Sequence, residues 1–185
     1  MSNTLILIDI QRGFDHPRWG ARNNPDAEQT AGALLQHWRA KGGLVAHIRH
    51  VSVESGSPLK GAGTEFKPEV TPFGDEVIFE KSVNSAFIGT GLEAFLRQNG
   101  ATKLTLCGLT TPHCVSTTTR MAANLGFSVD LVADACAAFT ANADTSFVPG
   151  AVALDAGAIH FAALSHLHGE FARVCMAQDV FSQLL

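Results

Sequence analysis

The sequence has no long apolar run, no block of basic residues, no Cys-x-x-Cys pair and no internal repeat. Each absence removes a class of protein. Apolar stretches such as Leu5-Ile6-Leu7-Ile8 fall far short of the roughly 20 residues a membrane-crossing helix needs. Basic residues number 13 against 17 acidic ones, a net charge of −4, so the electrostatic footprint of a nucleic-acid binder is missing. The four cysteines, Cys107, Cys114, Cys136 and Cys175, do not have zinc-ligand spacing and are expected as free thiols in a reducing compartment. A signal peptide is not expected, because residues 2–4 are polar and Asp9 interrupts the first apolar run. The expected location is the cytoplasm.

What is present is globular, with 46% apolar and 16% charged residues, and 185 residues suffice for one domain spanning 1–185. Residues 4–10, TLILIDI, form a continuous apolar run ending in an acid, the pattern of a parallel strand buried on both faces. A helical stretch opens at Asn24, carries Leu34, Leu35 and Trp38 at helical spacing, and closes on Gly42 and Gly43. Further strands are predicted at 44–50, 77–81, 102–108, 127–135 and 172–177, and further helices at 90–100, 112–126 and 149–171. Residues 51–76 are rich in Gly, Ser and Pro without periodicity, as in a lid or substrate loop, and 136–149 form another loop. The alternation predicts an α/β protein, a three-layer α/β/α arrangement with a doubly wound, mostly parallel sheet of about six strands.

Ligands of such a sheet bind beyond the carboxyl ends of its strands, near the point where strand order reverses. Asp9 ends the first strand, Lys81 the third, and Cys114 follows the fourth, so the three side chains could converge on one cleft. In GLTTPHCVSTTTR (108–120) Cys114 stands among small polar residues at a turn from strand to helix, where a thiol has no packing reason to be. If Thr111 caps the helix and Pro112 takes its first position, Cys114 is the third helical residue. The positive field of the helix end is then expected to lower its pKa, and backbone N–H groups of that turn could hold an oxyanion. A buried structural thiol is the alternative, against which the polar surroundings count. Asp9 reads as a general base for the thiol proton or as a cap or loop anchor. Lys81 reads as the charge that holds Asp9 and a thiolate, or as a solvated strand-end lysine.

Three stretches, LILIDIQRGF (5–14), FEKSVNSAF (79–87) and CGLTTPHCVSTTTRMAANLGF (107–127), resemble the isochorismatase-like cysteine hydrolases. That superfamily includes isochorismatase, nicotinamidase and N-carbamoylsarcosine amidohydrolase, and the resemblance covers nearly the whole chain. It implies an Asp-Lys-Cys triad at Asp9, Lys81 and Cys114. It also implies a cis peptide at Leu109-Thr110, oxyanion donors at the backbone N–H groups of Thr110 and Cys114, and a homo-oligomer, dimer or tetramer. The chain departs from the family pattern twice. Pro112 stands where many members carry an acid, and HIRHVSVESGSPL after the second strand lacks the acid of the nicotinamidase metal site. His47 and His50, three apart on a strand, point to opposite faces, and His166 and His168, two apart on a helix, are likewise separated. No metal and no cofactor are therefore expected, and nicotinamide becomes a weaker candidate substrate.

Phe14, Trp19 and Phe87 lie just after the candidate catalytic strands and read as apolar lining of a small-molecule site or as core. Asn84 and Ser85 could orient a substrate or their own loop, and His113 could touch substrate or solvent. The expected activity is hydrolysis of an amide or carbamoyl C–N bond in a small molecule through a thioester. Its rivals are a vinyl-ether hydrolase that needs no nucleophilic cysteine, a non-catalytic binding member of the fold, and a thiol redox protein. The last would need a resolving cysteine, and Cys107 is expected to be buried in its strand.

Overall fold

Four consecutive apolar residues, Leu5 to Ile8, are at most 1% exposed, which only a strand covered on both faces allows. They belong to β1 (Ser2–Ile8), the centre of a six-stranded sheet in a computed structural model that describes residues 2–182. The other strands are β2 (Leu44–His50), β3 (Val77–Lys81), β4 (Ala101–Leu109), β5 (Ser128–Ala137) and β6 (Arg173–Cys175). Their order is β3-β2-β1-β4-β5-β6, and every neighbouring pair is parallel. The chain thus winds outward from β1 to the β3 edge and returns to β4 on the other side of β1. The reversal lies between β1 and β4, and the crevice opens beyond their carboxyl ends.

Helices flank the sheet: α1 (Ala27–Ala40), α2 (Leu92–Gln98), α3 (Ser116–Asn124), α4 (Ala156–Ser165) and α5 (Ala177–Phe181). The buried stripe of α1 is Ala31, Leu34, Leu35 and Trp38, the helical spacing visible in the sequence. Its end is a left-handed cap at Gly42, with Gly43 N–H bonded to Trp38 O and Gly42 N–H to Arg39 O. Gly108 in β4 is required for a different reason: a Cβ there would come within 2.0 Å of Ile8 O, so only glycine lets β4 pass the end of β1. Among the described residues no helix is long and apolar enough to cross a membrane.

Three sequence expectations need correction. The helical pattern over 149–171 shrinks to α4, because Asp155 caps Ala158 N–H and fixes the start there. The helix α5 follows β6 without having been foreseen. Residues 51–76 do line a cleft, through Ser52, Val53, Glu54, Ser57 and Leu59, as a substrate loop would, but they are not structureless. They contain short 3-10 turns at Gly61–Thr64 and Pro68–Val70, and Phe66 pairs with Gln11. Lys67 Nζ anchors the segment to Asp15 at 2.6 Å and to buried Glu28 at 2.8 Å.

The last turn before β3 is fixed by Glu76, whose carboxylate takes a fork of two 2.7 Å bonds from Arg39 of α1 and one of 2.9 Å from buried His47 of β2. Burial raises the Glu76 pKa, but Arg39, the Phe73 N–H and His47 outweigh it and hold the carboxyl at about 2. A carboxyl depressed on folding contributes stability that is complete above its ordinary pKa of 4.5 and is lost as pH falls toward about 2. Glu76→Gln is therefore expected to flatten the acid-side loss of stability in that window. At neutral pH it should cost about 1–3 kcal/mol, measured by urea unfolding across pH.

Candidate active site

Asp9 is the first residue beyond β1 and one of two described non-glycine residues with positive φ, at 52°. Aspartate tolerates this left-handed conformation better than most residues. The turn is held by Asp9 N–H to Ile48 O at 3.0 Å. The Asp9 side chain is wholly buried.

Lys81 ends β3, with β2 between it and β1. The Lys81 and Asp9 side chains meet because a long unbranched lysine extends past the end of β2 toward the carboxylate. Lys81 Nζ lies 2.5 Å from Asp9 Oδ2 and 3.2 Å from Cys114 Sγ. It also lies 3.0 Å from His50 Nδ1, at the end of β2. The ammonium thus meets three acceptors with its three N–H groups. Asp9, His50 and Cys114 offer donor atoms within 4.8 Å of one another, the one such group among the described residues. Lys81 bonds to all three, so a metal ion at that point would have to displace the ammonium.

Cys114 sits in a π-helical turn, Thr111–Val115, that runs into α3. The residue before this turn is Thr110, not Thr111, and its side chain makes no capping bond. Thr111 Oγ1 instead pairs with His160 Nδ1 of α4 at 2.8 Å, which ties the nucleophile turn to the far helix. The Leu109-Thr110 peptide is cis.

The electrostatics at Cys114 run opposite to the sequence expectation. The thiol is only 7% exposed, and burial followed by the Asp9 charge raises its pKa, against the lowering effect of Lys81. Burial and the facing Asp9 thus oppose the lowering expected of a helix end, and Lys81, 3.2 Å from the sulfur, is the group that favours a thiolate. Burial also raises the Asp9 pKa, with Lys81 opposing it. Asp9 Oδ1 is buried without a hydrogen-bond partner, which leaves it able to accept a proton.

Above these residues opens a cleft of about 320 Å³. Phe14, Trp19, Asn84, Thr110, His113 and Cys114 line it, as the sequence suggested. Phe14 and Trp19 pack together at 5.0 Å between ring centroids, and Trp19 Nε1 is held by Gly13 O at 2.8 Å. Asn84 Oδ1 stands 3.8 Å from Cys114 Sγ. Phe87 does not line the cleft: it is buried and stacked on Phe127 in the main core. Ser85 Oγ accepts from Phe87 N–H, which shapes its own turn.

Sequence reasoning missed His50 and Asn142, both of which line the cleft. His47 and His50 do face opposite ways, one toward Glu76 and the other toward Lys81. The spacing ruled out joint chelation but said nothing of a lone histidine beside a lysine one strand away. Asn142 ends a 3-10 turn, Thr140–Asn142, that its own side chain closes by accepting from Phe139 N–H at 2.8 Å. Cys107, Cys136 and Cys175 are buried, and burial raises all three thiols, Cys136 to about 12 and Cys175 to about 11.

Residues 3–179 match the model of the isochorismatase domain. The chain is 44% identical to the uncharacterized isochorismatase family protein YrdC of Bacillus subtilis, covering 98% of this chain and 95% of that protein. A crystal structure of an isochorismatase-family protein from Chromobacterium violaceum superposes with a TM-score of 0.90 at 45% identity, covering 98% of this chain and 92% of that one. The chain is also 34% identical over 140 residues to streptothricin hydrolase of Streptomyces noursei, 73% of this chain and 49% of that protein. This chain belongs to the isochorismatase family of hydrolases.

The Asp9–Lys81 pair has both side chains at 0% exposure. Removing one partner leaves an uncompensated buried charge, which costs about 3–5 kcal/mol, whereas removing both charges costs far less. Lys81→Met is therefore expected to lose stability of that order, and Asp9→Asn combined with Lys81→Met to recover most of it. A double-mutant cycle in urea unfolding measures the coupling.

Proposed function

We propose that the protein hydrolyses an amide or carbamoyl C–N bond of a small molecule, with Cys114 as nucleophile. The observation that carries this reading is the position of Lys81 Nζ, in contact with both Asp9 Oδ2 and Cys114 Sγ at the floor of the cleft. A carboxylate, a cation and a thiol in mutual contact make a base, a charge stabiliser and a nucleophile.

As substrate displaces water, the Cys114 proton passes to Asp9 and sulfur attacks the carbonyl carbon. A C–S bond forms, and the carbonyl oxygen takes the negative charge. The backbone N–H groups of Thr110 and Cys114 are assigned to that oxygen, since both residues line the cleft. Collapse breaks the C–N bond, and the departing nitrogen takes the proton held by Asp9. A thioester remains. Asp9 then removes a proton from water, which attacks the thioester; the thiolate leaves and recovers that proton. The sum is amide plus water giving acid plus amine. A raised Asp9 pKa suits a group that must accept and return a proton within one cycle. Burial and Asp9 raise the thiol pKa, and Lys81 is the neighbour that favours the thiolate as it forms.

The cleft wall indicates what enters. Above the buried Asp9–Lys81 pair the lining has no Lys or Arg and one carboxylate, Glu54, with Phe14, Trp19 and Leu59 supplying apolar surface. This supports a neutral amide over an acidic one. The vinyl-ether alternative leaves the bond from Lys81 to Cys114 Sγ without a purpose. The expected outcome is ammonia or amine release from a panel of uncharged small amides and carbamoyl compounds, with carboxylated analogues slower. Cys114→Ala should lower kcat/KM on the order of 10⁴-fold. Full activity in Cys114→Ala, or in enzyme alkylated at Cys114, would instead establish the ether-type chemistry.

A further inference from the structure

His50 stands at the end of β2, between the strands that lead to Asp9 and Lys81, and directly opposite Lys81 in register. Its Nδ1 is 3.0 Å from Lys81 Nζ. An ammonium has three protons and no lone pair, so Nδ1 accepts and the ring proton resides on Nε2. Burial, and then the Lys81 charge, push the imidazole pKa down to about 4, so the ring remains an acceptor at neutral pH. The other titratable groups beside it are Asp9 and Cys114.

The backbone at His50 is held by a side chain acting in place of a strand. Buried Gln11 donates from Nε2 to His50 O at 3.0 Å, and its Oε1 accepts from His50 N–H at 2.7 Å. Gln11 comes from the segment just after Asp9, so one residue couples the end of β1 to the end of β2. A site whose supporting groups are fixed in this way keeps its reacting groups in one geometry.

We propose that His50 is a positioning residue of this site: as the third acceptor of the Lys81 ammonium, it aims the other two protons at Asp9 and Cys114. Without it, one N–H of an ammonium buried to 0% side-chain exposure would be unpaired, and the side chain would turn to find water. The acceptor must be neutral. A carboxylate there would take up the charge that Lys81 offers to the forming thiolate, and a second cation would repel it. The inference rests on Cys114 being the nucleophile.

The test compares His50→Asn, which keeps an acceptor near the Nδ1 position, with His50→Leu, which keeps the shape and removes the acceptor. The readout is the rate of iodoacetamide labelling of Cys114 between about pH 6 and 9, where thiolate formation governs the rate. Thermal unfolding of each variant is followed in parallel. His50→Leu is expected to slow labelling roughly tenfold, the scale of one lost hydrogen bond to a charged group. His50→Asn should stay within roughly threefold of the parent, which a purely packing role for the imidazole would not produce. Parent-like labelling in His50→Leu overturns the proposal, as does equal slowing in both variants. If His50→Leu fails to fold, His50→Ala replaces it under the same criteria. Lys81→Ala separates the two levels. Slow labelling in Lys81→Ala with parent-like His50→Leu overturns only the role of His50, whereas parent-like labelling in Lys81→Ala overturns the proposed chemistry as well.

Discussion

A lysine ammonium removed from water is the constraint on which this architecture turns. Lys81 has no exposed side-chain surface, and an isolated charge there would be untenable. The fold answers with three acceptors from three consecutive positions in the sheet order: Asp9 beyond β1, His50 at the end of β2, and Cys114 beyond β4 across the crevice. Elements remote from the cleft serve the same end. Glu76 locks the approach to β3, Gln11 locks the end of β2, and Gly108 lets β4 lie close against the end of β1. In the proposed chemistry two of the groups that satisfy the ammonium, Asp9 and Cys114, are also the base and the nucleophile.

Burial has two consequences for the thiols. Cys107, Cys136 and Cys175 are packed into the sheet, where a raised pKa keeps them inert. Cys114 is nearly as buried, but it lines a cleft and touches a cation and a carboxylate. In the proposed chemistry its reactivity depends on a substrate that excludes water and receives the nucleophile as the proton leaves.

Much of this was legible in the sequence. The unbroken apolar run at 5–8 announced a central parallel strand, whereas the polar setting of Cys114 suggested a thiol outside the core and the structure buries it at 7% exposure. The convergence of Asp9, Lys81 and Cys114 followed from their strand-end positions and from family resemblance. Strand order was not legible, and with it went the observation that β2 lies between Lys81 and Asp9, so that the lysine must extend past the end of β2. His50 was hidden for the same cause. Phe87 misled because an aromatic residue close to a catalytic strand in sequence can still face the core, as its stacking on Phe127 shows. The thiol pKa was misjudged because the helix-end field is a local rule, whereas burial and the facing carboxylate are tertiary facts.

The most direct test of the account is intact-protein mass spectrometry during turnover of an uncharged amide, with rapid acid quenching. The account predicts a transient mass increase equal to the acyl group, mapped to the peptide containing Cys114 and abolished in Cys114→Ala. Steady product release with no acyl adduct at any time, together with full turnover in Cys114→Ala, would contradict it.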